Sequence, residues 1–388
     1  MENFNYYNPV KILFGKGKIA EVSNQIPKDA RILITYGKGS IKKNGIYDQV
    51  IASLKNFNTF EFGGIGANPT YETCLEGLEI IKSENINFLL AVGGGSVIDA
   101  SKFMAAAAHY TGENSWDIVA KGAKIKSAIP LGTVLTLPAT GTEMNGNSVI
   151  TKEATKDKLA FGSPEIMPKF SILDPEVTYS LPKSQVINGV VDAFVHVFEQ
   201  YLTYPVNSPV QDRMAEGVLS TLIEEGRKVI ATETPDYENR ANLMWAATMA
   251  LNGLIGLGVK SDWSTHIIGH ELTAFHGLDH AVTLAIILPG VLNQKKNERN
   301  VKLLQYGERV LGVSEGTEEE RLDKTIQKTE DFFRELGMRT KLSEYEIGEE
   351  TIDRIIRRFE NRGMKKIGMQ QDIKLEEVRL ILESRINF

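Results

Sequence analysis

The residues best suited to chemistry in this 388-residue chain are its histidines, because five of the six fall between positions 196 and 280. Asp192 and His196 lie four residues apart in the apolar stretch VVDAFVHVFEQ, and His266 and His270 repeat that spacing in STHIIGHE. Residues four apart on a helix project from the same face. A carboxylate among apolar neighbours is costly unless it is paired or binds a metal. The two pairs therefore predict a metal site built from helices.

The donor types indicate which metal suits this site. One carboxylate with several imidazoles suits Fe²⁺ or Zn²⁺, whereas a thiolate zinc site needs several cysteines and the chain has only Cys74. A metalloprotease needs a glutamate directly after the first histidine of the pair, but Ile267 follows His266. The sequence therefore lacks the main feature that would indicate a hydrolase. A histidine taken singly, such as His109 in an alanine-rich stretch, is interpreted as structural.

Two segments rich in glycine or hydroxyl groups follow apolar runs of strand length. Gly93–Asp99 (GGGSVID) comes directly after FLLAV and opens a helical pattern, so its backbone N–H groups can approach a pyrophosphate. Ser96 can act as the helix N-cap or donate to a phosphate. Thr136–Glu143 (TLPATGTE) can bind a phosphate or the nicotinamide amide. The alternatives are a tight turn that needs glycine for geometry alone and a threonine-capped loop.

A third loop, Gly37–Ser40, follows the first long apolar run, where a nucleotide fold usually meets the adenosine ribose. An acidic residue at this place would repel a 2′-phosphate. The loop and the residues after it instead carry Lys38, Ser40, Lys42 and Lys43 and no carboxylate. This composition favours NADP(H) over NAD(H). The alternative interpretation is a solvated basic turn.

Strand-like and helix-like segments alternate up to about residue 182. Apolar runs of strand length occur at Arg31–Tyr36, Asn87–Val92, Ala128–Leu137 and Phe170–Leu173. Between the first two, Tyr71–Glu84 has helical spacing, with Leu75, Leu78 and Ile81 predicted on one face. The alternation predicts βαβ units and a parallel sheet with helices on both faces.

After Pro182 the strand signals stop, and glycines and prolines separate successive helical patterns. The predicted helices span Ser184–Thr203, Pro209–Ile230, Asp236–Leu257, Trp263–Phe275, Ala281–Leu292, Val301–Leu311, Thr317–Leu336, Thr351–Arg362 and Lys374–Arg385. The predicted fold is thus an α/β dinucleotide-binding domain at residues 1–182, followed by an all-helical metal-binding domain at residues 183–388.

Composition narrows the class of protein. The formal charge of −6 and the dispersed basic residues argue against a nucleic-acid surface. No apolar run reaches the ~18–20 residues of a membrane span, and the first residues lack the apolar core of a signal peptide. A single cysteine fits a reducing compartment. We therefore expect a cytoplasmic protein with a small-molecule substrate.

Taken together, the motifs resemble the iron-containing alcohol dehydrogenase family. The resemblance rests on GGGSVID, TLPATGTE, the D-x(3)-H pair and H-x(3)-H-x(9)-H, in this order, and extends over essentially the whole chain. It is greatest for the branch of butanol dehydrogenases and NADPH-dependent aldehyde reductases. The resemblance implies the two-domain architecture shared with dehydroquinate synthase. It also implies a homodimer that acts on aldehydes and alcohols.

The resemblance also implies roles for individual residues. The metal ligands of the family fall on Asp192, His196, His266 and His280, and the metal is Fe²⁺ or Zn²⁺. His270 matches a residue beside the nicotinamide that does not bind the metal, and it is a candidate for relaying the alcohol proton. The dinucleotide site falls on Gly37, Gly39, Ser40, Asn68, Gly94, Gly95, Ser96, Asp99, Thr136, Leu137, Thr140, Asn145, Lys158, Thr178 and Leu181.

The implied reaction is hydride transfer between NADP(H) and an alcohol or aldehyde whose oxygen the metal polarises, in a cleft between the domains. Asn147, Trp263 and residues 252–257 are expected near the substrate. One alternative is a glycerol or other polyol dehydrogenase, or a dehydroquinate-synthase-like lyase, of the same architecture. A non-catalytic nucleotide or metal sensor is the alternative from another class.

Overall fold

The computed structural model describes residues 1–386, and its first half alternates strands with helices. The strands are β1 Lys11–Phe14, β2 Arg31–Tyr36, β3 Asn58–Phe62, β4 Phe88–Gly94, β5 Leu131–Leu137, β6 Asn147–Lys152, β7 Asp157–Gly162 and β8 Phe170–Leu173. The helices of this half are α1 Ser40–Lys43, α2 Ile46–Ser53, α3 Tyr71–Ser83, α4 Gly95–Ala108 and α5 Asp117–Ala120.

Six of these strands form one sheet in the order β1-β8-β5-β4-β2-β3. Every pairing within the sheet is parallel. The central strand β4 is apolar and buried along most of its length, as expected for a sheet covered on both faces. The predicted parallel α/β architecture is confirmed. Since β2, β4 and β5 are neighbours, the loops that follow them lie at one edge of the sheet.

The second half is helical, as predicted. Its helices are α6 Lys183–Tyr201, α7 Pro209–Ala231, α8 Tyr237–Ala250, α9 Ser264–His276, α10 His280–Gln294, α11 Asn300–Arg309, α12 Glu318–Glu335, α13 Glu349–Asn361 and α14 Leu375–Glu383. None of the helices among residues 1–386 has both the length and the hydropathy of a membrane span.

The edge strands β1 and β3 of the main sheet were not predicted, and neither were two further strand pairs. β6 and β7 form an antiparallel hairpin outside the main sheet, and β9 Lys366–Ile367 pairs with β10 Ile373–Lys374 in a two-residue ribbon. Neither is an apolar run. The hairpin is held on α4, where Ser148 donates to the Asp99 carbonyl oxygen and the Val149 N–H donates to the Asp99 carboxylate. Contacts of this kind depend on tertiary structure, so the sequence shows no periodic pattern that would predict these strands.

Two helix predictions need correction. On α3 the buried face contains Cys74, Leu78 and Ile81, whereas Leu75 is exposed. The reason is that the helix turns by ~100° per residue, and position 74 is in phase with 78 and 81. The helix predicted over Asp236–Leu257 ends at Ala250, before the glycines at positions 253, 256 and 258.

The described chain contains two compact units. One comprises Tyr7–Val186 with Thr234–Asn252, and the other comprises Met1–Tyr6, Ile187–Glu233 and residues from Gly253 onward. Helix α8 thus belongs to the first unit although it follows residue 182 in sequence. The domain boundary at residue 182 remains a prediction.

Candidate metal centre and nucleotide site

Helix α6 carries the first pair of predicted metal ligands. Asp192 and His196 are both buried, and His196 Nε2 lies 3.7 Å from Asp192 Oδ1. The apolar residues between them, such as Phe194, face the core and keep this turn of the helix fixed. The spacing of four residues therefore brings both side chains to one face, as predicted.

Two further histidines come from α9 and α10. The donor atoms of Asp192, His196 and His266 all lie within 4.8 Å of one another. His280, the first residue of α10, places Nε2 3.7 Å from Asp192 Oδ1. Two ligands of a tetrahedral ion with bonds of about 2.1 Å are roughly 3.4 Å apart. The spacing and the donor set, one carboxylate and three imidazoles, thus fit one divalent ion.

His270 lies at the border of this cluster. Its ring centroid is 5.1 Å from that of His280 and 6.3 Å from that of His266. It is less buried than His266, one helical turn before it. Trp263 also borders the cluster, with its ring centroid 5.2 Å from that of His266. His276, at the far end of α9, instead contacts the Thr351 hydroxyl at 2.9 Å.

Sequence reasoning missed Glu199, the residue one turn after His196 on α6. Its carboxylate accepts from the backbone N–H groups of Trp263 and His266 and lies 3.4 Å from His266 Nδ1. Burial raises the pKa of Glu199 to about 7, against the lowering effect of the hydrogen bond from His266. The sequence did contain a signal for Glu199, because it is a third polar residue on the same face of an apolar helix as Asp192 and His196.

The glycine segment after β4 forms a direct junction between strand and helix. β4 ends at Gly94 and α4 begins at Gly95. A Cβ atom at Gly95 would lie 2.6 Å from Thr140 Oγ1, so the helix start and the segment after β5 need this glycine to pack. Ser96 is not the N-cap, which is Gly94, and its hydroxyl donates to the carbonyl oxygen of Ala67. The N-cap prediction for Ser96 was wrong because the helix starts at Gly95, two residues before Val97.

Beneath this junction lies a buried pair that the sequence did not reveal, Asp99 and Lys102. The Lys102 amine lies 2.6–3.2 Å from five oxygens of Thr142, Asn145 and Asn147, among which its three N–H groups donate. Asp99 accepts from the Thr142 hydroxyl at 2.7 Å. Burial lowers the pKa of Lys102 to about 8, although the charge of Asp99 opposes that change. The pair ties α4 to the turn after β5.

The loop after β2 also differs from expectation. Gly39 has φ +93°, a left-handed conformation that favours glycine, and precedes α1. The segment itself has no carboxylate, but Glu61 of β3 reaches Lys42 at 2.6 Å. The amine of Lys42 also lies over the rings of Tyr36 and Tyr47. Lys42 is therefore paired with a carboxylate, whereas Lys38 and Lys43 are exposed cations of this segment.

The other predicted cofactor residues divide into two groups. Asn145 and Thr178 are buried and bonded within the fold, the first to the carbonyl oxygens of Gly141 and Leu251 and the second to that of Pro175. The second group is partly exposed and comprises Asn68, Thr136, Leu137, Thr140, Lys158 and Leu181. Within it, the Lys158 amine donates to Asn68 Oδ1 at 3.0 Å.

Comparison with protein families matches both halves of the chain. Residues 9–175 match the family model described as iron-containing alcohol dehydrogenase. Residues 186–384 match the model described as the C-terminal part of the Fe-containing alcohol dehydrogenase family.

Individual proteins are similar over the full length. The chain is 54% identical over 387 residues to the NADPH-dependent aldehyde reductase YqhD of Escherichia coli (strain K12), covering 99% of this chain and 100% of that protein. It is 42% identical over 391 residues to the probable NADH-dependent butanol dehydrogenase 1 of Bacillus subtilis (strain 168), covering 100% of both. The crystal structure of E. coli K-12 YqhD superposes with a TM-score of 0.97 and 52% identity over 99% of each chain.

Proposed function

The chain belongs to the iron-containing alcohol dehydrogenase family, and from this membership we propose that it is a metal-dependent oxidoreductase that transfers hydride between NADP(H) and primary alcohols or aldehydes. The observation that carries the proposal is the convergence of Asp192, His196, His266 and His280 from three helices. These four residues would hold one divalent ion, Fe²⁺ or Zn²⁺.

The ion and the nucleotide supply the chemistry that side chains lack. A bound divalent ion acts as a Lewis acid on a carbonyl oxygen, and a bound nicotinamide supplies or accepts the hydride. The chain itself provides a carboxylate and three imidazoles that fix the ion, and apolar surroundings that strengthen their electrostatic effect. His270, at the border of the cluster, would pass the alcohol proton.

The nucleotide would bind along the carboxyl ends of β4, β2 and β5. Gly94 and Gly95 stand at the start of α4, whose free backbone N–H groups would bind the pyrophosphate, and Gly39 with Ser40 would meet the adenosine ribose. NADP(H) as the preferred cofactor is supported by the 54% identical NADPH-dependent relative and by the exposed Lys38. The butanol dehydrogenase relative is named as NADH-dependent. Kinetics with both NADPH and NADH therefore test the cofactor preference of this chain.

Steady-state kinetics of aldehyde reduction after chelation test this function. We expect butanal reduction to disappear when the metal is removed and to return with Fe²⁺ or Zn²⁺. We also expect NADPH to give the higher kcat/KM than NADH. Full activity of the chelated enzyme, with no metal present by elemental analysis, would contradict the proposed role of the ion.

A polyol dehydrogenase is the less supported alternative, because the similar proteins reported above are named for aldehydes or butanol. Comparison of butanal with glyceraldehyde and glycerol separates the two. We further propose a homodimer, checked by light scattering of the purified protein, and a location in a reducing compartment such as the cytoplasm, since the only cysteine is free and buried.

A further inference from the structure

The metal cluster requires that α6, α9 and α10 keep fixed distances from one another. Asp192 and His196 come from α6, whereas His266 comes from α9. Ligand atoms must be held to within about 0.5 Å for an ion to bind tightly. Helix α9 follows Trp263, which has a left-handed φ of +70°, and no side chain of its own N-cap residue bonds its first turn. Something else must therefore fix the start of α9.

Glu199 of α6 supplies that connection. One carboxylate oxygen accepts from the Trp263 N–H at 2.5 Å, and the other accepts from the His266 N–H at 3.2 Å. The backbone carbonyl oxygen of Glu199 also accepts from the Asp262 N–H at 2.8 Å. A carboxylate at the N-terminal turn of a helix is favourable because the free N–H groups and the helix dipole both attract it. Glu199 thus caps α9 from another helix.

The same carboxylate also faces the imidazole of His266. Its Oε1 atom lies 3.4 Å from Nδ1 of that ring. A metal-binding histidine usually directs its second nitrogen to a carboxylate or carbonyl, which fixes the ring orientation and the tautomer. The Glu199 side chain is 3% exposed, so its carboxylate contacts these groups away from solvent.

We infer that Glu199 is a positioning residue for the metal centre, which holds the start of α9 and the ring of His266 at a fixed distance from Asp192 and His196. The inference rests on the proposed function, since it concerns the same metal site. It predicts that the affinity for the ion depends on Glu199 although the residue is not a ligand.

The test measures metal affinity in the full-length apoprotein. Zn²⁺ is titrated in competition with a chromophoric chelator, and Co²⁺ absorption spectra report the geometry of the site. We expect Glu199→Gln to weaken Zn²⁺ binding by about 10- to 100-fold and to shift the Co²⁺ spectrum. ADP affinity should stay within twofold, because the nucleotide loops lie in the other compact unit.

Glu271→Gln is the matched control. Glu271 is a buried carboxylate on the same helix α9, but it pairs with Arg358 and Arg362. We expect this variant to lose stability and keep its Zn²⁺ affinity. If Glu199→Gln does not fold, Glu199→Asp keeps the charge on a shorter side chain and should show a smaller loss of affinity.

The outcomes separate the inference from the proposed function. Unchanged Zn²⁺ affinity and Co²⁺ spectrum in Glu199→Gln, or in Glu199→Asp where that variant is used, overturn the inference and leave the enzyme's metal dependence intact. An equal loss of affinity in Glu271→Gln overturns it as well, since any buried carboxylate would then matter. Failure of the wild-type apoprotein to bind Zn²⁺ or Co²⁺ would overturn the proposed function and the inference with it.

Discussion

His266 and His276 lie at opposite ends of α9 and differ in their surroundings. His266 belongs to the buried cluster with Asp192 and His196, whereas His276 contacts a threonine hydroxyl. We expect His266→Ala to lose the bound metal and to slow aldehyde reduction by at least about 100-fold, because a Lewis acid contributes several kcal/mol. His276→Ala, the matched control, should keep metal and rate. Elemental analysis and initial rates check both, and full reduction with stoichiometric metal in His266→Ala would exclude its role as a ligand.

Lys102 is a second residue whose surroundings define its role. Removal of its amine leaves the Asp99 carboxylate without its buried cation and takes the three N–H donors away from the surrounding oxygens of Thr142, Asn145 and Asn147. We expect Lys102→Met to lower the free energy of unfolding by about 3–5 kcal/mol and to weaken ADP binding. Urea denaturation and calorimetric titration with ADP measure the two effects.

Lys121→Met controls for the Lys102 substitution, because it removes an exposed lysine paired with Asp117 on a short surface helix. This variant should change stability by less than about 1 kcal/mol. Equal stabilities of the two variants would show that the Lys102 network contributes little.

At the scale of elements, the junction of β4 with α4 depends on the absence of a side chain at Gly95. We expect Gly95→Ala to push Thr140 away and to weaken ADP binding by about tenfold or more, because overpacking costs roughly 1–3 kcal/mol. Calorimetric titration with ADP measures the effect. Gly217→Ala on α7 is the control, since a Cβ there meets nothing within 4 Å. Normal ADP affinity in Gly95→Ala would show that the loop adjusts without cost.

At the scale of the whole molecule, the dependence of stability on pH follows from buried ion pairs. Glu330 of α12 accepts from the Thr340 hydroxyl and from Arg385 near the chain's end, both at 2.6 Å. Burial would raise the pKa of Glu330, but these hydrogen bonds and the charge of Arg385 outweigh burial and lower it. The unfolded chain therefore binds the proton more readily than the folded one. The stabilisation is complete above the unfolded pKa and disappears as pH falls through the folded pKa.

We expect Glu330→Gln to be less stable than wild type at pH 7, with the difference narrowing below about pH 4.5. Urea midpoints between pH 7 and pH 3.5 measure this difference. Glu335→Gln on the same helix breaks an exposed pair with Arg227 and should show little change at any pH. If the difference in urea midpoint between Glu330→Gln and wild type stays constant with pH, the lowered pKa of Glu330 is not a source of stability.

Local patterns determined much of this molecule. The parallel sheet could be predicted because buried strands need continuous apolar runs, such as those of β2 and β4. The pairs Asp192/His196 and His266/His270 could be predicted because a spacing of four residues sets one helix face. These features depend only on neighbours along the chain.

Tertiary packing decided the rest. The spacing of four does not reveal that His280 lies 3.7 Å from Asp192 while His270 stays at the border of the cluster. Nor does it show that Glu199 caps α9 or that Glu61 pairs with Lys42. Each of these contacts joins residues of different elements, whose distance depends on how the elements pack, and helical periodicity within one element carries no information about that distance.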